Sequence, residues 1–167
     1  METVDRHLLT GLDPIVFEDS KVLVLGSMPG ETSLAKGQYY AFEANRFWHV
    51  IYRLAGTDYS SDYETKKALL KKLRIALWDS IGKCYRDGSS LDSKIKNVTG
   101  NDIAGFLKAH PTIRYVVVNG RTSEKYLKKY NPNVEYVYLP STSPANASVR
   151  DVEERWLLTL KRLLKEE

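Results

Sequence analysis

KVLVLGSMPG, residues 21–30, is an apolar run that ends in a turn bounded by two glycines. The run reads as a buried strand. Gly26 and Gly30 permit sharp backbone turns and close approach of another group. Similar runs recur downstream. RIALWD (74–79) reads as a short second strand, TIRYVVVNG (112–120) as a third closing on Asn119-Gly120, and VEYVYLP (134–140) as a fourth ending at Pro140. Helical patterns lie between and after them. In NRFWHVIYRLAG (45–56), Phe47, Val50, Ile51 and Leu54 fall at helical spacing and Gly56 is the stop signal. DYETKKALLKKL (62–73) starts with Asp62 as N-cap and carries a basic outer face. NDIAGFLKAH (101–110) ends before Pro111, RTSEKYLKKY (121–130) follows the third strand, and residues 150–167 put Trp156, Leu157, Leu160, Leu163 and Leu164 on one stripe. Residues 80–100, rich in Gly, Ser, Asp and Lys, read as a long irregular connection.

Strands alternating with helices predict an α/β protein with a mostly parallel sheet. In such sheets a ligand sits beyond the carboxyl ends of the strands. Four loops meet that condition: GSMPG (26–30), WDSIGKC (78–84), NGRTS (119–123) and PSTSPANAS (140–148). The length of 167 residues predicts a single domain over 1–167, with no internal repeat or linker.

Composition narrows the function classes. The one cysteine, Cys84, excludes an intrachain disulfide, and His7, His49 and His110 show no helical metal-ligand spacing. No metal, metal cluster or other cofactor is expected. METVDRHLLTGLDP lacks the apolar core of a signal peptide, and no run approaches the roughly 18 apolar residues of a membrane span. A cytoplasmic protein with no membrane contact is expected, monomeric by default. The net charge of +4 is permissive for nucleic acid without being diagnostic.

Three stretches carry candidate chemistry. The first is the turn Gly26, Ser27, Met28, Pro29, Gly30. It is not a phosphate-binding P-loop, because no Gly-Lys-Ser/Thr follows, and no G-x-S-x-G nucleophile elbow occurs in the chain. Its plain reading is a structural strand-to-loop turn. The second is GQYYAFEANRFW (37–48). An exposed aromatic ring near a sheet end can stack on a flat ligand such as a nucleobase. Asn45 offers a donor and an acceptor, so it can orient a water but not act as a strong base. Phe47 and Trp48 read as core, and Asn45 also fits a helix cap. The third is LPSTSPANAS (139–148), a stiff loop with exposed hydroxyls and amides suited to phosphate. As a plain surface loop it reads equally well.

GSMPG…YYAFEANRFW together with LPSTSPANAS resembles the uracil-DNA glycosylase superfamily, in particular its hypoxanthine-DNA (deoxyinosine) glycosylase branch, near the mismatch-specific uracil/thymine glycosylases. The resemblance spans about residues 20–160. It implies a three-layer α/β/α fold with a central, mostly parallel four-stranded sheet. It also implies a monofunctional enzyme that flips a deaminated base out of damaged double-stranded DNA and hydrolyses its N-glycosidic bond. Asn45 matches the implied catalytic asparagine and Tyr40 the aromatic that stacks on the flipped base. The turn 26–30 matches the base-pocket motif, though Met28 stands where mismatch-specific relatives carry a water-positioning asparagine. Leu139 stands where many members carry a leaving-group-stabilising His or Asn. Ser141, Thr142, Ser143, Pro144, Ala145 and Asn146 match the DNA-binding motif, with Ser143 and Pro144 at the wedge position. Asp79 lies near an asparagine that reads the base, and a carboxylate there is able to accept N1–H of hypoxanthine. Its plainer reading is a helix cap or an ion-pair partner. Lys83, Arg86, Arg121 and Arg150 are candidate phosphate contacts, each also readable as a solvated surface charge. Two other readings stay open: uracil or mismatch excision by the same fold, and an inactive nucleic-acid-binding module, which the losses at Met28 and Leu139 favour.

Overall fold

A computed structural model describes residues 8–86, 92–146 and 151–166; Arg150 and the end of the 139–148 loop lie outside them. The chain runs β1 (Leu8–Thr10), β2 (Val22–Gly26), α1 (Glu31–Lys36), α2 (Phe47–Ala55), α3 (Tyr63–Leu73), β3 (Ile75–Asp79) and β4 (Ile81–Arg86). A 3-10 turn (Asp92–Lys94) then leads to β5 (Ile95–Gly100), α4 (Ile103–Ala109), β6 (Tyr115–Asn119), α5 (Arg121–Tyr130) and β7 (Val137–Leu139). A second 3-10 turn (Pro144–Asn146) precedes α6 (Val152–Lys165).

The central sheet has the order β3-β2-β6-β7, and every pairing is parallel. β2 is buried along its whole length, as a strand covered on both faces must be. Its side chains alternate between two cores. Val22 and Val24 join Ile75, Leu77 and Val117 against α2 and α6, with Trp48, Trp156 and Leu160. Leu23 and Leu25 join Ala76, Val116 and Val118 against α4 and α5, through Ile103 and Leu127. This is the expected α/β/α sandwich. Full burial of a Val or Leu side chain is worth about 1.5–3 kcal/mol, so the four apolar residues of β2 anchor both layers.

Helix ends follow local chemistry. The Asp62 carboxylate accepts the Thr65 N–H (3.0 Å), capping α3 as its sequence predicts. Gly56 ends α2 at φ 70°, a left-handed conformation that favours glycine. Residues 31–36 form a short helix where the sequence shows only a mixed polar segment.

The described parts of residues 80–100, 80–86 and 92–100, are not an irregular connection. β4 and β5 pair antiparallel, and β1 adds to the other side of β4, giving a second sheet in the order β1-β4-β5. Two register shifts break the β4–β5 ladder, and β5 buries only Ile95 among its apolar residues, so the period-2 signal is nearly absent. Beneath this sheet Met28 packs with Ile81, Cys84 and Ile95. Among the described residues no helix is long and apolar enough to cross a membrane.

Candidate active site

The parallel strands all end on one side, and their loops enclose a cleft of about 750 Å³. All four loops expected at the carboxyl edge reach it: the 26–30 turn from β2, Asp79 from β3, the 119–122 segment from β6, and residues 141–146 after β7. Tyr40 and Asn45 enter from the segment between α1 and α2. The residues singled out on sequence for catalysis, the base pocket and the 141–146 DNA-binding motif therefore share one cavity.

Tyr40 sits at φ 51°, a left-handed backbone that non-glycine residues seldom adopt. Its ring lies against Phe47, centroids 4.3 Å apart and planes at 30°. Its hydroxyl accepts from Asn119 Nδ2 (3.3 Å). Burial first, and the Asp79 carboxyl second, hold its phenol far above the ordinary value, so it stays a neutral hydroxyl. Phe47, Trp48 and Tyr39 are core, as the first two read on sequence.

Asn45 is not a free amide. Its Oδ1 accepts the Phe47 N–H (2.9 Å) and the Thr142 hydroxyl (2.8 Å). A backbone N–H can only meet the oxygen, so the amide orientation is fixed. Both oxygen lone pairs are used, and Nδ2 remains as the group able to donate into the cleft. The Thr142 hydroxyl in turn accepts from Asn119 Nδ2 (3.0 Å), while Asn119 Oδ1 accepts the Thr142 N–H (3.0 Å). Backbone donors at Phe47 and Thr142 thus set the direction of a chain that links β6, the loop after β7 and the loop before α2.

Thr142 requires a correction. It matches the DNA-binding motif, yet it is fully buried and its hydroxyl is spent on Asn45 and Asn119. We expect Thr142→Val, nearly isosteric, to strand buried polar partners and destabilise the fold by about 1–3 kcal/mol, read as a lowered denaturant midpoint. The rest of that loop is tied to itself and to α2. Ser141 Oγ accepts the Ser143 N–H (3.1 Å), Ser143 Oγ accepts the Ala145 N–H (3.2 Å), and Arg46 donates to the Asn146 carbonyl (3.2 Å).

Of the cations proposed for phosphate, Arg121 stands at the rim, 3.9 Å above the Tyr138 ring and paired with Glu124 at 2.9 Å. Lys83 is exposed on β4, outside the cleft lining. Arg86 is a second correction: it is only 8% exposed, and it donates to the Pro29 carbonyl (2.8 Å), holding the 26–30 turn from below. Its spacing on β4, not its charge, decides that fate.

Met28 is 7% exposed and Leu139 2%, and both side chains belong to apolar clusters. Neither side chain supplies a polar group to a ligand. Asp79 is 4% exposed, ends β3 rather than capping a helix, and its Oδ2 has no hydrogen-bond partner among the described residues. Burial raises its carboxyl to about 7, with the Asp92 carboxylate adding to the shift. Two contributors escape a sequence reading. Asn119 lies in a loop that is legible, but nothing marks it as the node of a buried network. Phe42, 54% exposed at the cleft, follows Tyr40 by two positions in a segment without periodicity.

The family described as the uracil DNA glycosylase superfamily matches residues 14–163. A protein named hypoxanthine DNA glycosylase from Methanosarcina barkeri is 32% identical over 155 residues, covering 91% of this chain and 98% of its own. One of the same name from Methanosarcina acetivorans is 34% identical over 149 residues, covering 87% and 94%. A solution NMR structure from Methanosarcina acetivorans, described as a candidate uracil DNA glycosylase, superposes with a TM-score of 0.79 at 33% identity, covering 94% of this chain and 99% of that one.

Proposed function

We propose a specific reaction for a chain that belongs to the uracil DNA glycosylase superfamily: it flips deoxyinosine out of duplex DNA and hydrolyses the glycosidic bond, releasing hypoxanthine and leaving an abasic site. It acts as a DNA glycosylase in base excision repair. The observation that carries the reading is the orientation of Asn45 in the same cleft as the Tyr40 ring.

A base stacked in a duplex exposes neither its ring faces nor C1′ to a side chain. Extrusion costs roughly a few kcal/mol. A ring stacked on the extruded base returns about 1–3 kcal/mol, and Tyr40, backed by Phe47, is an aromatic of the cleft wall placed for it. As the bond breaks, positive charge grows on the sugar and negative charge on the base. Asn45 Nδ2 donates to the oxygen of a water and holds it beneath C1′. With its own oxygen committed, Asn45 positions that water without taking its proton. The sugar cation is electrophilic enough to need no strong base.

No lysine lines the cleft among the described residues, so an imine with the sugar has no nucleophile and the enzyme is monofunctional. Hydrolysis of this kind calls for no metal or organic cofactor. Arg121, Ser141 and residues 143–146 face the phosphates of the damaged strand, with Ser143 and Pro144 nearest the gap left by the flipped base. The protein works as a monomer inside the cell, where its DNA substrate is.

Duplexes carrying a single deoxyinosine or deoxyuridine test the reading. Alkali converts abasic sites to strand breaks, so cleavage at deoxyinosine that depends on alkali is the expected result. Release of uracil alone would replace hypoxanthine by uracil in the proposal. Binding without release of either base would leave a nucleic-acid-binding module.

A further inference from the structure

The cleft has a gap in its chemistry. A departing purine takes the electron pair of the glycosidic bond, and a donor is needed where that charge collects. β7 supplies none, because Leu139 is in the core, and Met28 is turned into the second-sheet core. One titratable side chain is built into the wall instead. Asp79 lies beside Gly26 in the sheet register. A Cβ on Gly26 would overlap Asp79 Oδ1 and reach within 2.9 Å of the Tyr40 hydroxyl, so the missing methyl is what lets the carboxyl stand in the cleft. Asp79 Oδ2 is buried and unpartnered among the described residues.

Its surroundings favour the neutral acid. The Tyr40 and Tyr39 hydroxyls near it are themselves neutral. Asp92, on the 3-10 turn before β5, adds negative charge, and accepts from Ser27 Oγ at 2.8 Å. Arg86 acts on Asp92 and on the Pro29 carbonyl, and Asp79 itself has no ion pair among the described residues. A buried carboxylate without a cation costs several kcal/mol, and taking up a proton relieves that cost.

We propose that Asp79 is a catalytic acid whose neutral carboxyl donates to the flipped purine and gives it a proton as the glycosidic bond breaks. This rests on the glycosylase reading above. The water oxygen bonds to C1′, and the C1′–N9 electron pair leaves with the purine. The Asp79 proton goes to the purine, and the proton shed by the attacking water restores the Asp79 acid through solvent. A neutral aspartic acid serving as donor to developing negative charge has precedent in isomerase chemistry. The assignment reverses the role that the sequence suggests for Asp79, which is acceptance of N1–H by a carboxylate.

The test is single-turnover release of hypoxanthine from a deoxyinosine duplex, from about pH 5.5 to about pH 9, for wild type and Asp79→Asn. Wild type should lose about tenfold per pH unit above the Asp79 transition near pH 7, where the acid is consumed. Asp79→Asn should be slower by about 10²-fold at pH 6 and flat with pH, so the two curves converge in alkali. Deoxyxanthosine, whose base leaves more readily as an anion, should show a smaller loss in the variant. A wild-type rate that rises through pH 7, or a variant as fast as wild type at pH 6, overturns the acid role and leaves the glycosylase reading standing. Wild type that releases no base at any pH overturns both.

Thermal melts check the protonation state separately. The folded carboxyl titrates well above its ordinary 3.8, so ionisation costs stability as pH rises from about 4 to about 7. The Tm of Asp79→Asn relative to wild type should climb across that window and level off above it. A Tm difference flat with pH would mean that Asp79 ionises as it does in water, and the acid role would fall.

Discussion

Asn45→Ala is expected to lower single-turnover release of hypoxanthine by about 10²–10³-fold, the loss typical of removing one preorganised donor. Alanine also removes the acceptor for the Phe47 N–H and the Thr142 hydroxyl, so part of that effect is structural. Asn45→Asp separates the two contributions. Aspartate keeps an oxygen for both donors, the Phe47 N–H and the Thr142 hydroxyl, but it replaces the Nδ2 donor by a second oxygen. The fold should therefore hold its denaturant midpoint. The water beneath C1′ would then meet an acceptor where a donor belongs. If Asn45 acts through Nδ2, both variants fall together in rate while only alanine loses stability. An aspartate variant that keeps wild-type release would show that the oxygen alone matters, and the water-holding role assigned to Nδ2 would be wrong.

That division between the two ends of one amide is invisible in the sequence. ANRFW marks Asn45 as a polar residue ahead of an apolar helix, which fits a cap and a catalytic role equally well. The partners that decide the matter, Asn119 and Thr142, lie 74 and 97 residues further on, and no local pattern ties them to it. What the sequence does carry is the central sheet. Continuous apolar runs at 22–25 and 115–118 are too short for helices and too uniform for half-exposed strands, so burial on both faces is their physical reading. The rule that ligands gather beyond the carboxyl ends of parallel strands then assembles the cleft from four loops before any contact is known.

The second sheet fails the same test for a reason. β4 reads IGKCYR and β5 IKNVTG, and bulges shift the pairing at Lys83, so apolar residues do not recur at every second position. Arg86 illustrates the consequence. Taken as part of a polar loop it looks like a phosphate contact, but as the last residue of a bulged strand its side chain points under the 26–30 turn. Asp79 errs in the other direction. Carboxylates usually find a cap or a cation, and only the geometry reveals that this one has neither.

Gly26→Ala is expected to lower activity by about 10²-fold with little change in the rest of the fold, and it tests the cleft wall as a whole. Glycine is not required there by backbone conformation, since Gly26 is absent from the positive-φ glycines and continues the parallel ladder beside Asp79. The requirement is space. A Cβ would overlap the Asp79 carboxyl and crowd the Tyr40 hydroxyl at 2.9 Å. Neither neighbour yields easily. Asp79 has a short side chain on a buried strand, and Tyr40 is held by Asn119 and by the Phe47 ring. The carboxyl must swing toward the cleft, into the volume that the flipped base would occupy, or Tyr40 must withdraw and lose its stacking position. A displacement of about 1 Å in either group is enough for a loss on the order of 10²-fold. The central strand pairing does not depend on the missing methyl, so far-UV circular dichroism should match wild type. Binding to undamaged duplex, which uses the rim and not the cleft floor, should also survive. Wild-type release by Gly26→Ala would mean that the base never approaches this wall, and the places given to Tyr40 and Asp79 would both have to be abandoned.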